Sequence, residues 1–298
     1  MKRFIAVIGG DGRYLELIRQ LQLIPDATIF LVGFDQLEQG YIGLKQIDIT
    51  DLECGQLDAV ILPITGVDDE GYVEAVFSDK QIQLNREWFA HLKPSTLVFT
   101  GIANTYLSDV ARDANVLLVP LLNRDDVAIY NSIPTAEGTI MMAIEHTDYT
   151  IHSSRIFVVG FGRVGNTVSH KFSAFGAHVS VSARDTSDLA RITEMGLKAI
   201  PLEKLHAYTH ACDLLVNTIP APVIDKKTIQ NLPSHGIIID LASKPGGTDF
   251  KFAKQRGIKA ILARSLPGVV APKTTGKILA DVIKQCLGDH LHEEHLKE

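Results

Sequence analysis

Three glycines separate a strand-like run from a helix-like run near the middle of this chain, and that junction limits the fold more than any other segment. Gly160, Gly162 and Gly165 follow Ile156-Phe157-Val158-Val159 and precede Val164, Val168, Phe172 and Phe175 at helical spacing. A G-x-G-x-x-G pattern is weak alone, but between a strand and a helix each glycine has a mechanical role. The first permits the tight turn, the second lets backbone approach a pyrophosphate, and the third lets helix close on strand. The helix N-terminus adds free N–H groups and a partial positive charge. Gly160, Gly162, Arg163, Val164 and Gly165 are therefore the expected phosphate cradle of a dinucleotide-binding unit. A glycine-rich turn with no ligand is the bland alternative.

The next strand addresses which dinucleotide. His178–Ser182 alternates as a strand and ends about 20 residues past the first glycine, where an NAD-binding fold places Asp or Glu for the ribose 2′-hydroxyl. Here the strand end reads Ser182-Ala183-Arg184. A hydroxyl and a guanidinium suit a 2′-phosphate, because Arg makes forked, charge-assisted hydrogen bonds to it. Ser182 and Arg184 thus favour NADP(H). Asp185 leaves NAD possible if the strand ends later, and Arg184 as a solvated loop charge is the alternative.

Strand-like and helix-like segments alternate along all 298 residues, the pattern of parallel α/β sheets. The expected fold is α/β, with two parallel-sheet domains joined by a bridging helix, the second being a Rossmann dinucleotide-binding domain. Residues 1–130 read as a substrate or catalytic domain, completed by a C-terminal helix at 273–298, and residues 131–272 as the NADP(H)-binding domain. Strands are expected at Phe4–Ile8, Thr28–Val32, Ala59–Pro63, Thr96–Thr100 and Val116–Leu121 in the first half. In the second they fall at Arg155–Val159, His178–Ser182, Lys198–Ile200, Leu214–Thr218, Gly236–Leu241 and Lys259–Leu262. The bridging helix is placed at 134–147, with Pro134 in its first turn and Ser132 or Ile133 near the cap.

The formal charge of −6 and the lack of a basic patch argue against nucleic-acid binding. No apolar run approaches the 18 or so residues of a membrane span, and Phe4–Ile8 enters Gly9-Gly10-Asp11-Gly12 too soon for a signal peptide. Cys54, Cys212 and Cys286 lie far apart without a C-x-x-C, so no metal or disulfide framework is implied and a reducing cytoplasm is expected. The His290, His292 and His295 tail reads as a frayed terminus rather than a metal site.

Four further segments carry chemistry. Gly9–Gly12 with Arg13 repeats the strand–Gly–helix arrangement without dinucleotide spacing, which suits a carboxylate, or else a tight turn with an exposed Arg. Arg124-Asp125-Asp126 and the run Asn131, Ser132, Thr135, Glu137 crowd polar groups at the start of the bridging helix, where simple N-capping explains only one hydroxyl. Thr218 and Pro220 end a buried strand on the side where cofactors sit. After another strand, Lys244 follows Asp240, which serves as a site residue or as a structural acceptor. The spacing names no acid or base.

Together, Gly9-Gly10-Asp11, the stretch Arg124–Gly138 with its N-S-I-P-T-x-E-G core, Val159–Gly165, and D-L-A-S-x-P-G-G-T-D-F at Asp240–Phe250 closely resemble the dipicolinate synthase A-subunit family of spore-forming bacteria. The resemblance covers residues 4–287. It implies oxidation of dihydrodipicolinate, a cyclic dicarboxylate, to dipicolinate during sporulation, in the mother-cell cytoplasm and with the synthase's flavoprotein-like B-subunit. A homo-oligomer is also expected. Under that reading Arg13, Ser132 and Thr135 are carboxylate clamps, Lys244 works on the cofactor side, Asn131 and Glu137 join the catalytic set, and Asp125, Glu137 or water takes the proton. The rival readings are an NADP-dependent 2-hydroxy-acid or amino-acid dehydrogenase, and a cofactor-binding subunit inactive without its partner.

Overall fold

The computed structural model describes residues 2–37, 44–243 and 246–295. The chain divides into two compact units, Met1–Ala128 with Ala271–Glu298, and Ile129–Val270.

The first unit runs β1 (Arg3–Ile8), α1 (Gly12–Leu21), β2 (Ala27–Val32), β3 (Lys45–Gln46), β4 (Ala59–Ile61), β5 (Tyr72–Val73), β6 (Ile82–Gln83), α2 (Arg86–Ala90), β7 (Leu97–Thr100), α3 (Thr105–Asp113) and β8 (Leu117–Pro120). Six of the strands form a parallel sheet in the order β3-β2-β1-β4-β7-β8, while β5 and β6 pair as a small antiparallel ribbon. Ile5, Ala6, Val7 and Ile8 are all fully buried, as expected for a central strand covered on both faces. Ile5 and Val7 share one core with Leu17 and Ile18 of α1, and Ala6 and Ile8 share the other with Phe89 of α2 and Leu107 of α3.

The second unit repeats the scheme. In chain order it holds α4 (Asp125–His146, entering from the first unit), β9 (Arg155–Val159), α5 (Arg163–Ala174), β10 (His178–Ala183), α6 (Thr186–Glu194), β11 (Lys198–Pro201), α7 (Leu205–Tyr208), β12 (Leu214–Asn217), α8 (Lys226–Gln230), β13 (Ile237–Asp240), α9 (Phe250–Arg256), β14 (Lys259–Leu262) and α10 (Leu266–Val270). Its sheet order is β11-β10-β9-β12-β13-β14, all parallel. Both sheets thus have the doubly wound 3-2-1-4-5-6 order, whose direction reverses between the first and fourth strands and leaves a crevice at their carboxyl ends. The α/β class, the two parallel sheets and the Rossmann architecture of the second agree with the sequence.

The bridging helix differs from expectation. It is 22 residues long and starts at Asp125, so Pro134 lies inside it and neither Ser132 nor Ile133 caps it. Pro134 lacks only the N–H that would reach back to Tyr130, and acidic Asp125 and Asp126 occupy the first turn, where the helix dipole favours them. Nearby hydroxyls turn inward: Thr135 Oγ1 donates to the Asn131 carbonyl at 2.8 Å and Thr139 Oγ1 to that of Thr135 at 2.7 Å.

The chain ends with α11 (Pro272–His295), which packs along α1 through Leu279, Val282, Ile283 and Leu287. The contact is close at Gly276, where a β-carbon would strike the carbonyl of Arg13.

At the amino end of the second sheet, one carboxylate ties three strands. Asp213 accepts the backbone N–H of Arg155 at 2.7 Å, that side chain's Nη2 at 2.9 Å, and His235 Nε2 at 3.1 Å. Burial alone would raise its pKa, but these donors outweigh burial and hold it at about 2. A carboxylate with a depressed folded pKa adds stability above its unfolded value and loses it as pH falls through the folded one. Asp213 thus contributes fully above about pH 4, and the contribution fades toward about pH 2. Thermal melts across this range should show Asp213→Asn less stable than wild type at neutral pH, with the gap closing on acidification; a constant gap would contradict the assignment.

Candidate functional site

The glycine loop lies where β9 hands over to α5, at the switch point beside β12. Gly160 has φ +103°, a left-handed value that disfavours any other residue, and a β-carbon there would collide with Thr218 Oγ1. A β-carbon on Gly165 would strike the Gly160 carbonyl, so the third glycine sets how closely α5 approaches β9. Thr218 completes this packing, its hydroxyl donating to the Val159 carbonyl at 2.9 Å. Gly162 is different. Its backbone is extended (φ −73°, ψ −164°), and among the described residues none beyond its chain neighbours and its own helix lies within 4 Å of where its β-carbon would be. No packing contact among the described residues requires glycine at 162. Gly162 occupies the N-cap position of α5 without a side chain to satisfy the first-turn N–H groups, which suits a pyrophosphate. Arg163 is exposed and Val164 half-buried in that first turn.

Strand β10 ends at Ala183, one residue later than the sequence suggests. This later end is the condition under which Asp185 leaves NAD possible. Because side chains alternate along a strand, Ser182 lies on the face opposite Val181 and Ala183; it is 1% exposed, and its hydroxyl has no hydrogen-bond partner among the described residues. Arg184 follows, 85% exposed, with Nε 3.6 Å from Asp185. Asp185 is the N-cap residue of α6 but makes no capping bond, and Thr186 and Ser187 expose their hydroxyls beside it. The sequence reading did not single out these two.

Loops after β12 and β13 are locked together by Asp240. Its Oδ1 accepts from Asn217 Nδ2 at 2.9 Å and Ala242 N at 3.0 Å, and its Oδ2 from Gly247 N at 3.0 Å and Thr248 Oγ1 at 2.6 Å. Four donors satisfy this buried carboxylate, so Asp240 is a structural acceptor that shapes the carboxyl edge. Pro220 is exposed in the adjoining loop. Lys244 lies outside the described residues.

The polar run on α4 is not a cluster. Ser132 is buried, its hydroxyl donating to the Ile129 carbonyl at 2.6 Å and meeting Thr167 Oγ1 of α5 at 2.7 Å. Thr135 is spent on the Asn131 carbonyl. Asn131 is half-buried, and Glu137 and Asp125 are exposed. Ser132 and Thr135 therefore fix the helix rather than offer free hydroxyls.

In the first unit, the Gly9–Gly12 loop is closed by the chain itself. Gly10 N donates to the Glu74 carbonyl at 2.8 Å, and a β-carbon on Gly9 would hit that same carbonyl. Asp11 caps α1 through Arg13 N at 3.0 Å and takes Nε of the Arg13 guanidinium at 2.9 Å. Burial would raise the Asp11 carboxyl, but the Arg13 guanidinium beside it prevails and holds it below the usual carboxylate range. Arg13 is only 8% exposed, and its neighbour Tyr14 donates to the Leu62 carbonyl at 2.7 Å. An internal carboxylate thus fills the anion position that the loop offers. Among the described residues no group of His, Cys, Asp and Glu is arranged to hold a metal ion, and no helix is long and apolar enough to cross a membrane. The side chains of His290, His292 and His295 lie outside those described.

An open glycine cradle on a 3-2-1-4-5-6 parallel sheet defines the second unit as a dehydrogenase-type NAD-binding domain. Residues 132–244 match the family model of the D-isomer specific 2-hydroxyacid dehydrogenase NAD-binding domain, and residues 4–122 match that of the N-terminal domain of the dipicolinate synthase A-subunit. The dipicolinate synthase A-subunit of Bacillus subtilis (strain 168) is 48% identical over 290 residues, 97% of each chain. The crystal structure of the Bacillus halodurans A-subunit superposes with TM-score 0.93 at 50% identity, covering 96% of this chain and 97% of that one. That of the B. subtilis protein gives TM-score 0.94 at 47% identity over 98% of each. The chain belongs to the dipicolinate synthase A-subunit family.

Substituting two glycines separates fold from ligand. Gly162→Ala should leave unfolding stability within about 0.5 kcal/mol of wild type and weaken dinucleotide binding at least roughly tenfold, because the new methyl occupies the ligand's space. Gly165→Ala should lower the melting temperature by driving α5 off Gly160. Calorimetric titration with differential scanning reads both; normal affinity in Gly162→Ala would contradict the cradle.

Proposed function

We propose that this chain oxidises dihydrodipicolinate to dipicolinate with NADP+, in the cytoplasm of a sporulating bacterium and together with the synthase's flavoprotein-like B-subunit. The carrying observation is an open phosphate cradle at Gly162 in a chain that matches the A-subunit over 97% of its length. The residues fit a nicotinamide dinucleotide, since Gly162 leaves the first turn of α5 without a capping side chain and open to a phosphate. Bound there, the nicotinamide supplies the hydride acceptor.

The preference for NADP rests on the end of β10. Ala183 cannot accept from a ribose 2′-hydroxyl, whereas Arg184 and the first turn of α6 with Thr186 and Ser187 offer donors to a 2′-phosphate. The ring loses two hydrogens, one as hydride and one as a proton released to water, and gains aromaticity. The protein's task is then chiefly alignment. Arg13 is assigned to a substrate carboxylate, which would take the place Asp11 holds in the ligand-free chain. Lys244 is assigned to the cofactor side, and Asn131 to the substrate side of α4.

A reading in which the chain only carries cofactor until its partner completes the site is favoured by the name of its relatives, each one component of a synthase. Anaerobic assay of the purified chain with NADP+ and freshly generated dihydrodipicolinate separates the two. Simultaneous growth of reduced-nicotinamide and dipicolinate absorbance without the flavoprotein-like partner supports an independent dehydrogenase; turnover only after its addition supports the shared site. Arg13→Ala should abolish turnover at unchanged NADP(H) affinity. Arg184→Ala should weaken NADP(H) at least roughly tenfold while leaving NAD(H) nearly unaffected, and an unchanged preference would remove the 2′-phosphate assignment.

A further inference from the structure

The segment that closes the glycine turn of the first unit also presents a carboxylate near Arg13. Gly10 N donates to the Glu74 carbonyl at 2.8 Å and Val76 N to the Gly10 carbonyl at 3.1 Å, so residues 74–76 are pinned to the turn at two points. Val73 and Ala75 turn toward Gly9 and Gly33, where added β-carbons would meet them. Side chains alternate along extended backbone, so Glu74 between them turns the other way. It is exposed, and Thr65 Oγ1 donates to its Oε2 at 3.1 Å. One oxygen is thus steered by a hydroxyl while Oε1 faces outward.

The neighbouring carboxylates are engaged within the chain. Asp11 accepts from the Arg13 guanidinium, and Asp68 Oδ1 accepts the N–H groups of Glu70 at 3.0 Å and Tyr72 at 2.8 Å. Burial would lower the pKa of the Arg13 guanidinium, but Asp11 outweighs it and the charge of Glu74 adds to the upward pull. Glu74 therefore stands within electrostatic reach of Arg13, while the ion pair of Arg13 is made with Asp11. A cleft of about 350 Å³ opens on Glu74, lined also by Thr65, Gly66, Val67 and Tyr72. That volume is in the range that takes a small molecule.

Loss of two hydrogens from a dihydropyridine ring takes a hydride from one saturated carbon and a proton from the next. A positioned carboxylate accelerates the second event. We infer that Glu74 is the catalytic base of the proposed oxidation, acting on a substrate whose carboxylate Arg13 holds; the inference rests on that reading. Glu74 Oε1 takes the proton from the ring carbon next to the hydride donor. The electron pair of that C–H bond becomes the new ring double bond, the hydride carries its own pair to the nicotinamide, and Glu74 then returns its proton to water. Thr65 keeps Oε2 occupied and so presents Oε1 to the ring.

Glu74→Gln and Glu74→Ala test the inference in the full chain, with NADP+ and, where wild type requires it, the flavoprotein-like partner. The pins are backbone bonds, so both variants keep the fold. Glu74→Gln should lower kcat at least roughly 100-fold, with KM and NADP(H) affinity within about threefold of wild type. Formate should restore turnover to Glu74→Ala in proportion to its concentration, because a free carboxylate can enter the vacated space and take the proton. It should not restore Arg13→Ala. Wild-type kcat in Glu74→Gln, a loss confined to KM, or a Glu74→Ala enzyme that formate does not restore would overturn the inference. The underlying reading fails separately: normal turnover in Arg13→Ala removes the clamp, while formate rescue of Glu74→Ala still supports the base. A wild type that forms no dipicolinate even with its partner overturns both.

Discussion

A missing β-carbon at residue 165 lets the first turn of α5 stand against the carbonyl of Gly160, and the second unit's chemistry depends on that approach. The helix N-terminus is brought to the end of β9 with its first-turn N–H groups unclaimed by any capping side chain. Thr218 holds the position from the neighbouring strand by donating to Val159. Two of the three glycines thus explain each other by packing, and Gly162 is the one that no described neighbour constrains. Around this point Asp240 fastens the loops after β12 and β13 so that the carboxyl edge of the sheet is set before any ligand arrives.

The two units share one strand order, yet their first loops have opposite fates. In the second unit no side chain or distant backbone among the described residues lies within 4 Å of where a β-carbon on the central glycine would be. In the first, the segment around Glu74 folds back over Gly9 and Gly10, and Asp11 takes both the helix N-terminus and the Arg13 guanidinium. A dinucleotide phosphate has no room there, whereas a carboxylate able to replace Asp11 would find a buried guanidinium already desolvated. The decisive residues are side chains on the loops rather than the sheet.

Most of the framework was legible because the strands are short apolar runs between glycine- and polar-rich turns; β9 and β14 match their expected bounds, and the other expected strands shift by one or two residues at one or both ends. Strands β3, β5 and β6 were not legible, since two residues carry no periodicity. The start of α4 was misplaced because Pro134 is a good first-turn residue, and only the structure shows that a helix continues through it. At β10 a shift of one residue exchanged Ser182 for Ala183, because side chains alternate faces along a strand. The closure of Gly9–Gly12 was not readable, as it comes from residues more than 60 positions away.

Direct hydride transfer to the bound nicotinamide is the claim on which the proposed function stands. It is tested by following the label from dihydrodipicolinate deuterated at its saturated ring carbons, with NADP+ and no added flavin, and locating the deuterium by NMR. One deuterium on nicotinamide C4 is expected for each dipicolinate formed, on a single face of the ring. Dipicolinate formed with no deuterium on the nicotinamide, or only when flavin is supplied, would contradict it.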